Sequence, residues 1–155
     1  MRCNLNKFGD KKCKGNEGLI RKNIKFMNET EIKYLKSMIK GIDWLKISKH
    51  AEEKQLLNVM EIKRIIKAKS YEIIDYNYFI NSKEERVMVR TKNIYKIKNQ
   101  NGKIEECYCK IVISLKSNCI VTMWANRVAD EERKQNNLNT RYYENFDIIN
   151  KKVKF

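Results

Sequence analysis

In the first half of the chain apolar residues recur three and four positions apart, and in the second half they alternate with polar ones, so the pattern predicts helices followed by strands. Asn28 and Glu31 have the spacing of a capping box, and Ile32, Leu35 and Ile39 share one helical face ahead of Gly41, which predicts a helix over 29–40. Trp44 and Leu45 read as apolar anchors, and Ser48 can cap a short second helix that carries Lys49, His50, Leu56 and Leu57. Asn58 and Glu61 repeat the capping-box spacing, with Val59, Ile62, Ile65 and Ile66 as the apolar face of a third helix that ends near Lys69. Beyond Ser70, β-branched and aromatic residues predict strands over 71–79, 86–94, 104–115 and 119–124. Turn-forming residues at 81–83, 101–102 and 116–118 join them into an antiparallel meander. A short helix over 130–135 and scattered Tyr142, Tyr143 and Phe146 complete the chain. The expected fold is α+β, with N-terminal helices packed on one face of an antiparallel β-meander of about four strands. Residues 1–27 read as a basic, partly flexible arm, because residues 1–18 hold few apolar side chains to offset the entropy of ordering them. Residues 28–136 then form a single domain, with its helices in 28–69 and its sheet in 71–126, and 137–155 a polar, aromatic tail.

Composition changes this picture mainly through charge. Lys and Arg number 34 against 19 Asp and Glu, a formal net charge of +15, which favours a polyanion as partner. Part of that excess is compositional, since Lys, Ile and Asn together dominate the chain as they do in AT-rich coding sequences, and arginine, the better phosphate fork, is scarce. No apolar run reaches the roughly 20 residues of a membrane-spanning helix, and residues 1–16 lack the apolar stretch of a secretion signal, so a cytoplasmic protein with no membrane partner is expected. Five cysteines are an odd number, and neither Cys3 with Cys13 nor Cys107 with Cys109 has the CxxC spacing that grips zinc. Free thiols, no metal and no cofactor are expected.

Three groups of residues could carry chemistry. His50 follows the Ser48 cap in the first helical turn, with Lys54 one turn along on the same side. In the predicted second strand Arg86, Met88 and Arg90 share one face and Val87 and Val89 the other, so two guanidiniums stand over a sheet whose back is apolar and could hold a phosphate. In the last strand Thr122, Trp124 and Asn126 alternate, offering a hydroxyl, an indole for base stacking and an amide for phosphate or ribose.

Ser48–Lys49–His50–Ala51, the strand Arg86–Val87–Met88–Val89–Arg90 and the closing run from Ile120 to Arg127 together resemble the small toxin-type, metal-independent ribonucleases grouped with barnase, EndoU and RelE. The resemblance covers residues 47–127 and implies cleavage of RNA, mRNA or tRNA, by 2′-OH transesterification. It implies His50 as a proton carrier, Arg90 and Lys54 as the clamp on the developing phosphorane, and Thr122 as the group that orients the phosphate. Arg86 would add to the basic face, while Trp124 and Asn126 would contact base or ribose. With one histidine, the second proton carrier would come from Glu52, Glu53 or a tyrosine. The expected geometry is that the first turn of the His50 helix overhangs the face of Arg86, Arg90, Thr122 and Trp124, within reach of one phosphate, while Val87, Val89 and Val121 point away.

Two other functions fit the same residues. Lys54 and Asn58 stand where relatives of that kind often carry arginine or another basic residue, which supports a non-catalytic basic nucleic-acid-binding module on the same scaffold. A small phage or mobile-element inhibitor that covers an acidic site on a host protein is the other. A toxin-type nuclease would in turn imply an acidic antitoxin or inhibitor protein as partner.

Overall fold

A computed structural model describes residues 2–3, 18–139, 143 and 145–153. Most of the expected N-terminal arm, Cys13 and Tyr142 lie outside the described residues, and so does the side chain of Cys3. The helices begin where short-range chemistry places them. In α1, Glu29–Lys40, the Asn28 side chain accepts from the Glu31 amide at 2.8 Å and the Glu31 carboxylate accepts from the Asn28 amide at 3.0 Å. The same exchange between Asn58 and Glu61 opens α3, Val59–Lys67, and Ser48 Oγ accepts from the Ala51 amide to open the short α2, Lys49–Glu53. Leu35 and Ile39 of α1, with Ile62 and Ile65 of α3, are buried against Val87, Val89, Ile111 and Ile113 of the sheet. Each such side chain contributes about 1.5–3 kcal/mol relative to staying in water.

The sheet has more strands than the four expected. Its order is β1 (Arg2–Cys3), β3 (Lys46–Ser48), β8 (Cys119–Arg127), β7 (Ile104–Ser114), β5 (Glu84–Thr91), β4 (Tyr71–Phe79) and β2 (Leu19–Asn23), with β6 (Tyr95–Lys98) also paired to β7. The meander β4–β5–β7–β8 is antiparallel, and β3 and β1 add to it in parallel. The strand expected over 86–94 is divided: β5 ends at Thr91, and the chain turns at Lys92 and Asn93 to lay β6 along the other half of β7.

Two segments assigned to the arm and the tail belong to the fold. β2 pairs with β4 along its length, yet its inward position after Ile20 is a lysine, so no apolar alternation announces it. Lys22 is tolerated there because its ammonium lies 2.8 Å from the Glu31 carboxylate and donates to the Phe146 carbonyl. Phe146 and Ile148, at the end of the chain, are buried in the same cluster, and Phe146 stacks on Tyr76 and Tyr78. Lys151 fastens this end to Glu85 at 2.8 Å. Nearby, the Ile148 amide donates to Glu31, so one carboxylate joins helix, edge strand and tail. Burial raises the pKa of Glu31, but the Lys22 and backbone hydrogen bonds outweigh it, and the net shift is downward.

Helix α4, Val128–Asn136, extends the short helix expected over 130–135. Its residue Glu131 contacts Lys110, which lies on the sheet face opposite the α1 and α3 cluster. The sheet is therefore covered on both sides, by apolar packing on one and largely by polar contacts on the other.

Candidate functional site

Strand register puts most of the predicted site residues on one face. Arg90 lies opposite Lys110 and Lys110 opposite Trp124, Met88 opposite Val112 and Val112 opposite Thr122, Arg86 opposite Ser114, and Tyr108 opposite Asn126. Val87 and Val89 point into the helix-covered cluster, as alternation requires. Val121 does not. A bulge between Val112 and Ile113 in the β7–β8 pairing leaves Val121 unpaired in the ladder, and it packs with Ile74, Met88 and Val112 on the same side as Thr122.

The cations on this face meet carboxylates of the chain itself. Arg90 Nη2 bonds Glu72 at 2.8 Å, and its guanidinium stacks 4.8 Å from the Tyr108 ring. Lys110 Nζ lies 2.9 Å from Glu131 Oε1, and Arg90 Nη1 lies 3.9 Å from the same oxygen. Asn126 donates to Glu131 Oε2 at 3.0 Å and accepts from Lys134 at 2.6 Å. The Glu131 carboxylate thus engages Arg90, one of the groups expected to hold a phosphate, together with Lys110 and Asn126. Its burial raises its pKa, but the bonds from Lys110 and Gln135 and the nearby positive charges bring the net shift below the usual value. Arg86 is 2% exposed, with Glu84 3.1 Å away and the Phe79 ring 4.9 Å from its carbon centre. Thr122 is also buried, whereas Trp124 keeps a partly exposed ring against Ile74, Met88, Val112 and Val121. Asp75, across from Met88, is pushed up to about 6 by burial, against the opposing bond from Asn23 and the charges of Lys110 and Arg21.

His50 is half-buried on α2, whose next residue, Ala51, packs into the cluster on the helix-covered side. Lys54 is the exposed C-cap of α2. Among the described residues no hydrogen bond or ion pair joins His50 to Arg90 or Thr122. Glu52 and Glu53 are exposed, and Leu56 and Leu57 fall after the end of α2. Cys107 and Cys109 are buried free thiols, and burial pushes Cys109 up to about 12. Cys119 is disulfide-bonded, which departs from the expectation of free thiols throughout. No group of three or more metal-ligating side chains occurs among the described residues.

A different feature is open to solvent. Helices α1 and α3 and the segments that follow them border a cavity of about 760 Å³, lined by Lys36, Lys40, Lys63, Lys67 and Lys69, with Ile42, Leu45, Ile66 and Tyr71 as its apolar surfaces. That volume is within the range of small-molecule sites, about 300–1,000 Å³. Asp43 is the carboxylate on its wall. Among the described residues none of the five lysines forms an ion pair. Trp44, between the lining residues Asp43 and Leu45, is 64% exposed and is no apolar anchor, while Leu45 is buried as expected. The sequence carried a signal for this cleft, lysine pairs four apart at 36 and 40 and at 63 and 67, but each reads alone as the solvated face of a helix. Their convergence arises only where α1 packs beside α3. Comparison with protein families, with curated proteins and with solved structures finds no match to this chain.

Proposed function

We propose that this protein is a basic nucleic-acid-binding module, with RNA such as mRNA or tRNA as the favoured partner and the lysine-lined cleft as its contact surface. The observation that carries this reading is the cleft itself: five lysines with no carboxylate partner among the described residues line one cavity. Mobile lysines act as point charges on phosphates and displace condensed counterions, so binding should weaken steeply as salt rises. Titration of a labelled RNA at several salt concentrations tests this. The expected outcome is a steep log–log slope, together with a loss of at least about tenfold in affinity for Lys36→Glu combined with Lys63→Glu. Weak salt dependence, or unchanged affinity in the folded double variant, overturns the reading.

The sharper alternative is metal-independent RNA cleavage, which rests on the resemblance and on Arg86, Arg90, Thr122 and Trp124 sharing a sheet face. Against it stands the engagement of Arg90 and Lys110 by Glu131. Labelled RNA incubated in excess EDTA distinguishes the two. Products with 2′,3′-cyclic phosphate ends that disappear in His50→Ala would replace binding by cleavage, and intact RNA is expected. An acidic inhibitor protein would compete for the same lysines. A cytoplasmic setting suits an RNA partner, whereas the Cys119 disulfide favours an oxidising compartment.

A further inference from the structure

Resting on that reading, we infer that the cleft between α1 and α3 is built for one unpaired nucleotide of a single strand, with phosphates among the lysines and the base against the apolar surfaces, beside Trp44. A surface that only follows a phosphate backbone needs cations and no apolar floor. Here Ile42, Leu45, Ile66 and Tyr71 line the cleft together with the lysines, and Tyr71 and Leu45 are buried. A duplex would bring phosphates to the ammonium groups and leave that floor unfilled, because its bases are stacked inward. An unpaired nucleotide fills both parts of the site.

Trp44 does not itself line the cleft but stands next to it in the chain, between the lining residues Asp43 and Leu45. An indole that is 64% exposed leaves a large apolar face in water, although the residues on either side of it line the cleft. Exposed aromatic rings beside a cationic groove are the stacking platforms used to hold bases without sequence preference. A carboxylate repels phosphate and accepts hydrogen bonds from ribose hydroxyls or base amino groups, so Asp43 favours the sugar or base edge over a phosphate as its neighbour.

Fluorescence anisotropy with the full chain tests this, using a labelled single strand, a duplex of equal length, the same strand with abasic sites throughout, and a free mononucleotide. The expected order is single strand bound at least about tenfold tighter than duplex or abasic strand, with the mononucleotide weaker than the strand. Trp44→Ala should lose about fivefold or more, as expected for one stacked base, and Trp44→Phe should recover most of the loss. Thermal melting of each variant confirms that it is folded. Equal affinity for single strand, duplex and abasic strand, or an unchanged Trp44→Ala variant, overturns the inference while leaving nucleic-acid binding intact. A mononucleotide bound as tightly as the strand also overturns it, in favour of a free-nucleotide site. Absence of binding to every probe removes the nucleic-acid reading itself.

Discussion

Asp75 and Glu131 face the same buried polar network and shift in opposite directions. The Asp75 carboxyl, desolvated and near Glu131, is raised from 3.8 to about 6, so the fold favours its neutral form. That contribution to stability is fully present below the unfolded value and is lost as pH rises through about 6. Glu131 and Glu31 are lowered from 4.5, so their contributions are present above that value and lost as pH falls through their folded values. Stability set by these three groups should therefore peak on the acidic side of neutrality. Replacing Asp75 by Asn keeps the oxygen that accepts from Asn23 and removes the charge. Asp75→Asn should gain up to about 2–3 kcal/mol at neutral pH, an upper bound set by the size of the shift, with little change near pH 4. Urea unfolding of both proteins across this range checks the prediction, and parallel pH profiles would refute it.

At the scale of elements, α4 shows how a helix can be placed almost entirely by polar contacts. Arg127 gives it no side-chain cap, and its one buried residue is Glu131. Asn126, Lys110, Gln135 and Arg90 gather on that carboxylate, and Lys25 reaches the Gln135 carbonyl at the far end of the helix. Glu131→Ala removes the only anion among the described residues within 4 Å of Lys110, whose side chain is 5% exposed, and an unpaired buried charge costs about 3–5 kcal/mol. The expected outcome is a loss of that order in unfolding free energy, with amide exchange accelerating first in residues 128–136. If exchange there matched the central strands, α4 would be held by something other than Glu131.

For the whole molecule, the sheet separates two chemistries. On one side the apolar cluster carries α1 and α3 and, beyond them, an open cationic cleft; on the other, arginines and lysines are neutralised beneath α4. Five lysines without an ion pair among the described residues thus remain available at the helix layer. The Cys119 disulfide gives a further measurable property of the whole chain. With Cys107 and Cys109 free and Cys119 bonded, thiol titration of the unreduced protein in denaturant should find fewer than the five thiols of the full chain, Cys107 and Cys109 among them. Five would show that the bond does not form under the conditions of preparation.

The sequence by itself determined what depends on neighbours along the chain. Asn28 with Glu31 and Asn58 with Glu61 satisfy helix ends through residues three apart, so both starts were legible. The period of two in β5 likewise placed Arg86 and Arg90 on one face and Val87 and Val89 on the other. Tertiary structure decided what depends on partners far away. Lys22 is an inward residue only because Glu31 and Phe146 meet it, and Phe146 joins the core only because Tyr76 and Tyr78 are there to stack on. The bulge at Val121 changes which side that residue faces, and no local pattern encodes it. The same holds for function. Charge pointed to a polyanion, but burial and pairing quenched the arginine face that alternation had singled out, while the packing of α1 beside α3 brought lysines distant in sequence into one cleft. A charge is available to a ligand only where the fold leaves it hydrated and unpaired, and that depends on contacts between distant parts of the chain.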